Sequence, residues 1–322
     1  MRVKNREQEN KELCIEVSDM SKYYGELKAV DEITFEVEQG IIFGMLGPNG
    51  AGKTTTIEML IGLKERTSGE VSVLGMDPER ELEKLKQRVG VQLQSPSLFP
   101  RLTVEEMVDL FASFYDNPFS EEKAISMVGL EDKIKTRIES LSGGQHHRLA
   151  VALALLSNGD IIFLDEPTTG LDPQARRGLW DVIEEMKEMG KTVFLTTHYM
   201  EEAEELCDDL LIIDHGEIIA RGGPEELIER YFQERTIEFT DPGFREEGLE
   251  KLSSLEHVTH LEMGEAGEND NLIYLYTDNA ARTMNELMNF SEKNGDRIEN
   301  LNLRHPTLED LFLKLTGRKI RE

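Results

Sequence analysis

The stretch of sequence that decides the fold is Gly47-Pro48-Asn49-Gly50-Ala51-Gly52-Lys53-Thr54. It matches the phosphate-loop pattern, in which a glycine and four residues of any type precede Gly-Lys-Thr or Gly-Lys-Ser. The continuous apolar run from Ile41 to Leu46 comes directly before it and predicts a buried parallel strand. A helical pattern from Thr54 to Leu63 follows. Because strand, loop and helix stand in the order that the motif requires, the sequence predicts a site for nucleotide phosphates.

Every residue of this loop is a candidate contact for the nucleotide. Glycines let backbone N–H groups approach phosphates closely, and the following helix directs its positive end at them. We expect Lys53 to reach the β- and γ-phosphates and the Thr54 hydroxyl to ligate Mg²⁺. Thr55 is a candidate contact for the α-phosphate.

A second apolar run, Ile161 to Leu164, ends in two acids, Asp165 and Glu166. We expect a buried strand beside the phosphate loop, with Asp165 holding Mg²⁺ through water. A carboxylate at Glu166 can orient and polarise a water for in-line attack on the γ-phosphate. Adjacent acids at a strand end are also often plain metal ligands or caps, so spacing alone leaves the role of Glu166 open.

Between these two segments lies the pentapeptide Leu141-Ser142-Gly143-Gly144-Gln145. Ser142 is a natural N-cap for the helical pattern that follows it. Gly143 and Gly144 leave the backbone bare, so the start of this helix can also receive an anion. A capped helix and an anion site need the same residues, so both interpretations stand together.

These three elements in this order resemble the ATP-binding-cassette (ABC) ATPases, over roughly Leu13 to Tyr231. The resemblance implies ATP and Mg²⁺ as cofactors and makes Glu166 the catalytic glutamate. It also implies that residues 141–145 of one copy close over the γ-phosphate of ATP held by another copy. The chain continues Pro167-Thr168-Thr169-Gly170-Leu171-Asp172, and by the same resemblance Asp172 belongs to the loop that crosses the dimer interface.

The resemblance assigns three single residues as well. Gln94 corresponds to the glutamine that senses Mg²⁺ and the attacking water, with Gln92 as a competing alignment. His198 corresponds to the switch histidine that contacts the γ-phosphate. Tyr24 corresponds to the aromatic residue that stacks on adenine, with Tyr23 as its alternative.

One departure from the family pattern follows the pentapeptide. His146 and His147 stand where the family more often has Gln, Lys or Arg. The dipole of the helix disfavours their charged form in its first turn. The electrostatics of that turn therefore stay open.

Composition restricts the partners. The formal net charge of −28 argues against broad binding to nucleic acid, which needs a positive surface. No apolar run approaches the roughly 20 residues that cross a bilayer, and the charged stretch Met1 to Glu12 is not a signal segment. Cys14 and Cys207 lie in no metal-binding pattern. We expect a cytoplasmic chain that reaches the inner face of the membrane through a partner.

The expected fold class is α/β: a P-loop NTPase (RecA-like) core with an antiparallel β subdomain, an inserted helical subdomain and a small C-terminal α+β module. The predicted parts are a charged extension (1–12), a nucleotide-binding domain (13–231) with its helical subdomain at about 98–158, and an accessory module (235–317). The module's strand-helix-strand-strand-helix-strand order suggests a ferredoxin-like fold. Within the helical subdomain, one apolar stripe is expected in the core: Val104, Met107, Val108, Leu110, Phe111 and Phe114.

The predicted function is the ATP-hydrolysing subunit of an ABC transporter. Two copies would pair head to tail and power a separate membrane permease. The sequence from His305 to Gly317 looks like the ending of stand-alone cassettes of drug or lipid exporters. Two alternatives stay open: a soluble ABC ATPase that does no transport, and an importer ATPase with a ligand-sensing C-terminal domain.

Overall fold

The computed structural model describes residues 12–94, 98–232, 234–240, 246–263, 272–294 and 298–317. The chain divides into two compact units, the first extending to Pro224 and the second beginning at Glu225. The sequence had placed this division near Tyr231, so the helix Pro224–Tyr231 falls almost wholly in the second unit. No helix among the described residues is long and apolar enough to span a bilayer.

The first unit alternates strands and helices along most of its length. Two short 3₁₀ turns, Glu131–Lys133 and Ile138–Ser140, precede the fifth helix. In chain order the elements are β1 (Leu13–Tyr24), β2 (Leu27–Glu38), β3 (Ile42–Leu46), α1 (Lys53–Leu60), β4 (Ser68–Val73), α2 (Leu82–Leu85), β5 (Val89–Gln92), α3 (Val104–Ala112), α4 (Glu121–Met127), α5 (Gly143–Leu155), β6 (Ile161–Asp165), α6 (Pro173–Glu188), β7 (Thr192–Thr197), α7 (Met200–Leu206), β8 (Asp209–Asp214) and β9 (Glu217–Gly222).

The central sheet has six strands in the order β5-β6-β7-β3-β8-β9. All neighbours are parallel except β8 and β9. Strands β3, β6 and β7 are buried along their whole length, which is why their sequences are continuous apolar runs. Strand β7 separates β6 from β3, so the carboxyl ends of these three strands meet at one edge of the sheet.

A second, antiparallel sheet has the order β2-β1-β4. Its strands alternate buried and exposed residues, as expected for a sheet with one face in water. Phe35 of β2 stacks on Phe43 of β3 with ring centroids 5.9 Å apart. Phe194 of β7 lies 5.3 Å from Phe43, so one aromatic cluster ties the antiparallel sheet to the central one.

Helices α3, α4 and α5 lie between β5 and β6 along the chain. Helix α3 begins with a full capping box between Thr103 and Glu106. It ends at Ala112, and Phe114, which the sequence had placed in the core stripe, is 57% exposed. Helical spacing therefore overstated the length of the helix by half a turn.

The second unit is built on a four-stranded antiparallel sheet. The sheet order is β11-β12-β10-β13, and six side chains form its buried core: Ile237, Phe239, Leu252, Ile273, Leu275 and Leu287. The last helix is capped by Thr307 and ends at Gly317 in the left-handed conformation (φ 70°). The elements are α8 (Pro224–Tyr231), β10 (Arg235–Thr240), α9 (Glu246–Ser253), β11 (Val258–Met263), β12 (Leu272–Thr277), α10 (Ala280–Asn294), β13 (Glu299–Arg304) and α11 (Leu308–Thr316).

Candidate functional site

The loop between β3 and α1 has the tight backbone that its glycines allow. A Cβ on Gly47 would lie 2.3 Å from the carbonyl oxygen of Ile213, so no larger residue fits there without a shift of the backbone. Gly52 caps α1 with φ 109°, and a Cβ on it would lie 2.5 Å from the carbonyl oxygen of Ala29. The loop is therefore held close against its neighbours, with the start of α1 directed into the site.

A cavity of about 250 Å³ opens at this loop. It brings together residues from four separate segments of the first unit. Three residues of the loop do not line the cavity: Gly47, Pro48 and Ala51. The carbonyl of Pro48 accepts a hydrogen bond from Lys53, and the carbonyl of Ala51 accepts one from Gly216. The lining residues are Ala29, Asn49, Gly50, Gly52, Lys53, Thr54, Thr55, Gln94 and Glu166.

Lys53 is buried at the centre of the site, with 4% of its side chain exposed. Its Nζ donates to the carbonyl oxygens of Gly47 at 2.7 Å and Pro48 at 3.1 Å. It also lies 3.0 Å from Glu166 Oε1. The ammonium group is thus oriented by the loop itself and neutralised by the acid at the end of β6.

Glu166 is surrounded by polar partners. Its Oε2 accepts hydrogen bonds from Gln94 Nε2 and Thr169 Oγ1, each at 3.2 Å, and lies 3.3 Å from His198 Nδ1. Burial alone would raise the pKa of this carboxyl, but His198 and Lys53 outweigh it and lower the pKa to about 2. The carboxylate is therefore ionised at neutral pH.

The backbone of Glu166 adopts φ 49°, in the left-handed region that residues other than glycine seldom occupy. Its N–H is held by the carbonyl and the hydroxyl of Thr196 on β7, both at 3.1 Å. A strained backbone fixed by its neighbours is common where a side chain must be aimed at a ligand.

Asp165 lies beneath Glu166 and is fully buried. Thr196 Oγ1 donates to its Oδ1 at 2.5 Å, whereas Oδ2 has no hydrogen-bond partner among the described residues. Burial raises the pKa of this carboxyl, and hydrogen bonding from Thr196 and Thr54 opposes the rise. An unpaired buried carboxylate oxygen beside the Thr54 hydroxyl suits a hard cation such as Mg²⁺, which prefers oxygen ligands.

Burial separates the two glutamine candidates. Gln92 is 2% exposed, and its amide donates to the carbonyl oxygens of Leu93 and Asp165. Gln94 lines the cavity and contacts Glu166. The surroundings thus favour Gln94 as the residue that faces the nucleotide.

The two tyrosine candidates differ in the same way. The Tyr23 hydroxyl donates to Asp31 Oδ1 at 2.7 Å, which fixes the ring on the sheet. Tyr24, at the end of β1, is 44% exposed, and the ammonium groups of Lys22 and Lys64 lie 5.2 and 5.9 Å from its ring centroid. Tyr24 is thus the more exposed of the two rings, which favours it as the residue that stacks on a base.

The pentapeptide forms the start of α5. Ser142 accepts from the N–H of Gln145, and the Gln145 side chain accepts from the N–H of Ser142, which completes a capping box. Ser142 and Gly143 are exposed, and nothing within 4 Å meets a Cβ built on Gly143, so this side of the turn is open. None of the residues that line the cavity comes from 141–145.

Asp172 also lies outside the cavity of its own chain. It is the N-cap of α6, and its carboxylate accepts from the N–H of Ala175 at 2.9 Å.

Of the two histidines after the pentapeptide, His147 places Nδ1 3.2 Å from the carbonyl oxygen of Pro167. Burial and the neighbouring His147 lower the pKa of His146, which favours the neutral form.

The sequence analysis did not identify two threonines whose hydroxyl groups donate hydrogen bonds to Asp165 and Glu166. Thr196 pairs with Asp165 across β6 and β7, and Thr169 donates to Glu166. Thr196 had a visible signal, because it is a polar residue at the end of an apolar strand. Thr169 had none beyond its place in the quoted run.

Comparisons with known proteins agree with this geometry. The sequence model of the family described as "ABC transporter" matches residues 30–169. The chain is 35% identical over 313 residues to the linearmycin resistance ATP-binding protein LnrL of Bacillus subtilis, covering 96% of this chain and 100% of the relative. It is 36% identical to the Nod factor export ATP-binding protein I of Ralstonia nicotianae, over 96% of this chain and 95% of that protein.

Two solved structures have the fold of the first unit. One is the ATP-binding subunit of an ABC transporter, with a TM-score of 0.62 and 29% identity, covering 68% of this chain and 93% of the other. The second is a dimeric ATP-binding cassette in a post-hydrolysis state with ADP and Pi, with a TM-score of 0.60 and 27% identity. It covers 65% of this chain and 98% of that structure.

Proposed function

The chain belongs to the ABC transporter family as an ATP-binding subunit, and from this premise we propose that two copies bind and hydrolyse MgATP head to tail to drive export through a separate membrane permease. Similarity to the Nod factor export subunit supports export as the direction. The permease would bring the chain to the inner face of the membrane. The observation on which the proposal rests is the ionised Glu166, held among Lys53, His198 and Gln94 at the mouth of the phosphate loop.

Lys53 and Glu166 have distinct roles in the proposed reaction. The loop N–H groups and Lys53 bind the phosphates, which draws the ammonium group away from Glu166. Since Lys53 helps to hold the pKa of Glu166 near 2, its departure makes the carboxylate more basic. Glu166 then orients a water for in-line attack, and His198 contacts the γ-phosphate.

The proposed Mg²⁺ ligands are the Thr54 hydroxyl, Asp165 and Gln94. All three offer oxygen atoms, and Asp165 Oδ2 has no hydrogen-bond partner within the described part of the chain. When bound, the ion would supply positive charge that offsets the charge of the phosphates. Two or three protein ligands are enough, because Mg²⁺ takes its remaining ligands from phosphate and water.

The second copy completes each site in this proposal. The capped helix start is formed by Ser142, Gly143, Gly144 and Gln145, and none of these residues lines the cavity of its own chain. A helix N-terminus with exposed N–H groups is suited to the γ-phosphate of the partner's ATP. Asp172 begins the next helix and is assigned to the same interface. The dimeric cassette among the similar structures supports this arrangement.

For the second unit we propose a ferredoxin-like accessory module. Its two strand-helix-strand halves and the sheet order β11-β12-β10-β13 support this fold. None of the cavity-lining residues comes from this unit. We therefore assign it a role in steadying the pair or tuning its coupling to the permease.

The experiment that tests the proposal is the substitution Glu166→Gln. Glutamine keeps the shape and removes the charge, so the rate of MgATP hydrolysis should fall about 100-fold or more while ATP still binds. The variant should elute as a dimer with MgATP and as a monomer without it. Hydrolysis at the wild-type rate would contradict the role of Glu166, and the absence of any ATP-driven dimer would contradict the paired site.

A further inference from the structure

Glu202, on α7, is completely buried yet belongs to none of the contacts described above. Its Oε1 accepts a hydrogen bond of 3.0 Å from Trp180 Nε1. Burial raises the pKa of this carboxyl, while the side chains of Thr197, Thr168 and Trp180 oppose the rise. The carboxyl is thus placed where three hydrogen-bonding side chains from different segments face it.

The neighbours of Glu202 belong to two parts of the proposed site, the segment that contacts the γ-phosphate and the segment that leads to the dimer interface. Thr197 directly precedes His198, which would contact the γ-phosphate. Thr168 lies between Glu166 and Asp172, in the segment that leads to the interface. Trp180 lies on α6, the helix that Asp172 caps. One buried side chain therefore touches the switch segment, the loop after the catalytic acid and the helix that begins at the interface.

A second contact joins the same elements. The rings of His198 and Tyr199 lie 4.1 Å apart. The guanidinium group of Arg176, in the first turns of α6, lies 4.2 Å from the Tyr199 ring centroid. His198 is therefore connected to α6 through a tilted ring pair on one side and through Glu202 on the other.

Packing does not account for a carboxyl at this position. Leucine would fill a similar volume without the cost of burying a polar group. Glu202 Oε2 and Thr168 Oγ1 are both buried, and neither makes a hydrogen bond of normal geometry within the part of the chain that is described. Two such atoms beside each other mark a contact that a small shift of either segment would complete.

We propose that Glu202 is a positioning residue that couples His198 to the interface segment Thr168–Asp172 through hydrogen bonds with Trp180 and with the hydroxyl of Thr168. The coupling rests on the proposed function, since it presumes that His198 meets the γ-phosphate and that Asp172 meets the second copy. When ATP draws His198 toward it, the hydrogen bond to Thr168 sets the interface segment for pairing.

The test compares Glu202→Gln and Glu202→Leu with the exposed control Glu205→Gln on the same helix. Glutamine accepts from Trp180 and donates to Thr168, so its kcat should stay within about threefold of the wild type. Leucine removes both hydrogen bonds, and kcat should fall about tenfold or more with KM changed less than about threefold. The control should match the wild type.

Trp180 is the single tryptophan of the sequence, so its fluorescence reports on this contact directly. A non-hydrolysable ATP analogue with Mg²⁺ should shift the emission in the wild type and in Glu202→Gln, but not in Glu202→Leu. A role in packing alone would leave this response unchanged. If Glu202→Leu does not fold, Thr168→Val removes the same hydrogen bond from the other side and should lower kcat several-fold.

Two results would overturn the inference. One is a Glu202→Leu or Thr168→Val chain with wild-type kcat. The other is a Glu202→Gln chain as impaired as Glu202→Leu. The His198→Ala variant distinguishes failure of this inference from failure of the proposed function. If the wild type hydrolyses MgATP and the His198→Ala chain does not, the proposed function is still supported. A wild-type chain that does not hydrolyse MgATP removes the basis of both.

Discussion

The Lys53–Glu166 ion pair sets the charge balance at the phosphate loop. The two groups are 3.0 Å apart, and each side chain is only 4% exposed. A buried pair of this kind gains from its partners but also costs desolvation, so removing one member leaves an uncompensated charge. Because Lys53 must turn to the phosphates in the proposed mechanism, the pair is a resting contact that ATP replaces.

The lowered pKa of Glu166 predicts a specific dependence of stability on pH. The pKa of its carboxyl falls from the ordinary value of 4.5 to about 2 in the folded protein. Its contribution is therefore fully present above pH 4.5, where it amounts to about 3 kcal/mol, and is lost as pH falls toward 2. Glu166→Gln lacks this contribution. In urea titrations of the nucleotide-free protein, the stability gap between wild type and variant should shrink from pH 6 to pH 3. A gap that stays constant over that range would contradict the charge assigned to Glu166.

Tyr24 predicts a measurable contribution to ATP affinity. Stacking of a base on an aromatic ring contributes about 1–3 kcal/mol, so Tyr24→Leu should raise the Kd for ATP about tenfold. Tyr24→Phe should bind ATP as the wild type does. Tyr23→Phe serves as the control, since it removes only the hydroxyl that donates to Asp31. Fluorescent-nucleotide titration measures all three, and a Tyr24→Leu chain that binds ATP as tightly as the wild type would contradict the assignment.

At the residue scale, sequence patterns located the site but could not choose between near neighbours. Gln92 and Gln94 stand two residues apart, and their burial distinguishes them. Only 2% of Gln92 is exposed. Gln94 is exposed, and its side chain reaches Glu166. Burial depends on what packs against the strand from elsewhere in the chain. A single sequence carries no direct record of that packing. The catalytic and metal-binding roles of the candidate residues remain predictions.

At the scale of elements, the start of α5 combines a structural and a functional demand. The Ser142 hydroxyl caps the helix within its own chain. The same turn would bind the partner's γ-phosphate. The two demands can be separated, because a cap contributes to the stability of a single copy whereas phosphate binding appears only in the pair.

Two substitutions of Ser142 use this difference. Ser142→Ala removes the cap and should lower the free energy of unfolding by about 1 kcal/mol. Ser142→Arg adds bulk and charge where the partner's nucleotide would lie, so it should abolish the ATP dimer and hydrolysis while each copy still binds ATP. Size-exclusion chromatography with MgATP measures the dimer. A Ser142→Arg chain that pairs and hydrolyses normally would contradict the head-to-tail site.

The sequence predicted which segments form strands and helices better than it predicted which strands pair with each other. Apolar runs identified β3 and β6 because strands buried on both faces need no polar alternation. The insertion of β7 between β3 and β6 is a long-range pairing that no local pattern encodes. Likewise, the spacing that continued to Phe114 did not reveal that α3 ends at Ala112.

At the scale of the whole molecule, the acidic charge of −28 bears on association. Two copies of one chain carry charge of the same sign, so pairing must overcome mutual repulsion. That repulsion falls with ionic strength, because salt screens exposed charges beyond about 10 Å at 0.1 M. The ATP-driven dimer should therefore gain stability as salt rises within the range in which nucleotide binding is unaffected.

The division of the chain at Pro224 predicts that nucleotide binding survives loss of the second unit. Every residue that lines the cavity precedes Pro224, and the second unit has a hydrophobic core of its own. A chain that ends at Pro224 should bind ATP with a Kd within about threefold of the full chain, while its ATP dimer or its support of transport changes. A chain that ends at Tyr231 is the matched comparison, because it keeps α8 without the rest of its unit. Circular dichroism establishes folding before nucleotide titration. Complete loss of ATP binding in a folded truncated chain would show that the second unit takes part in the nucleotide site, contrary to the accessory role proposed for it.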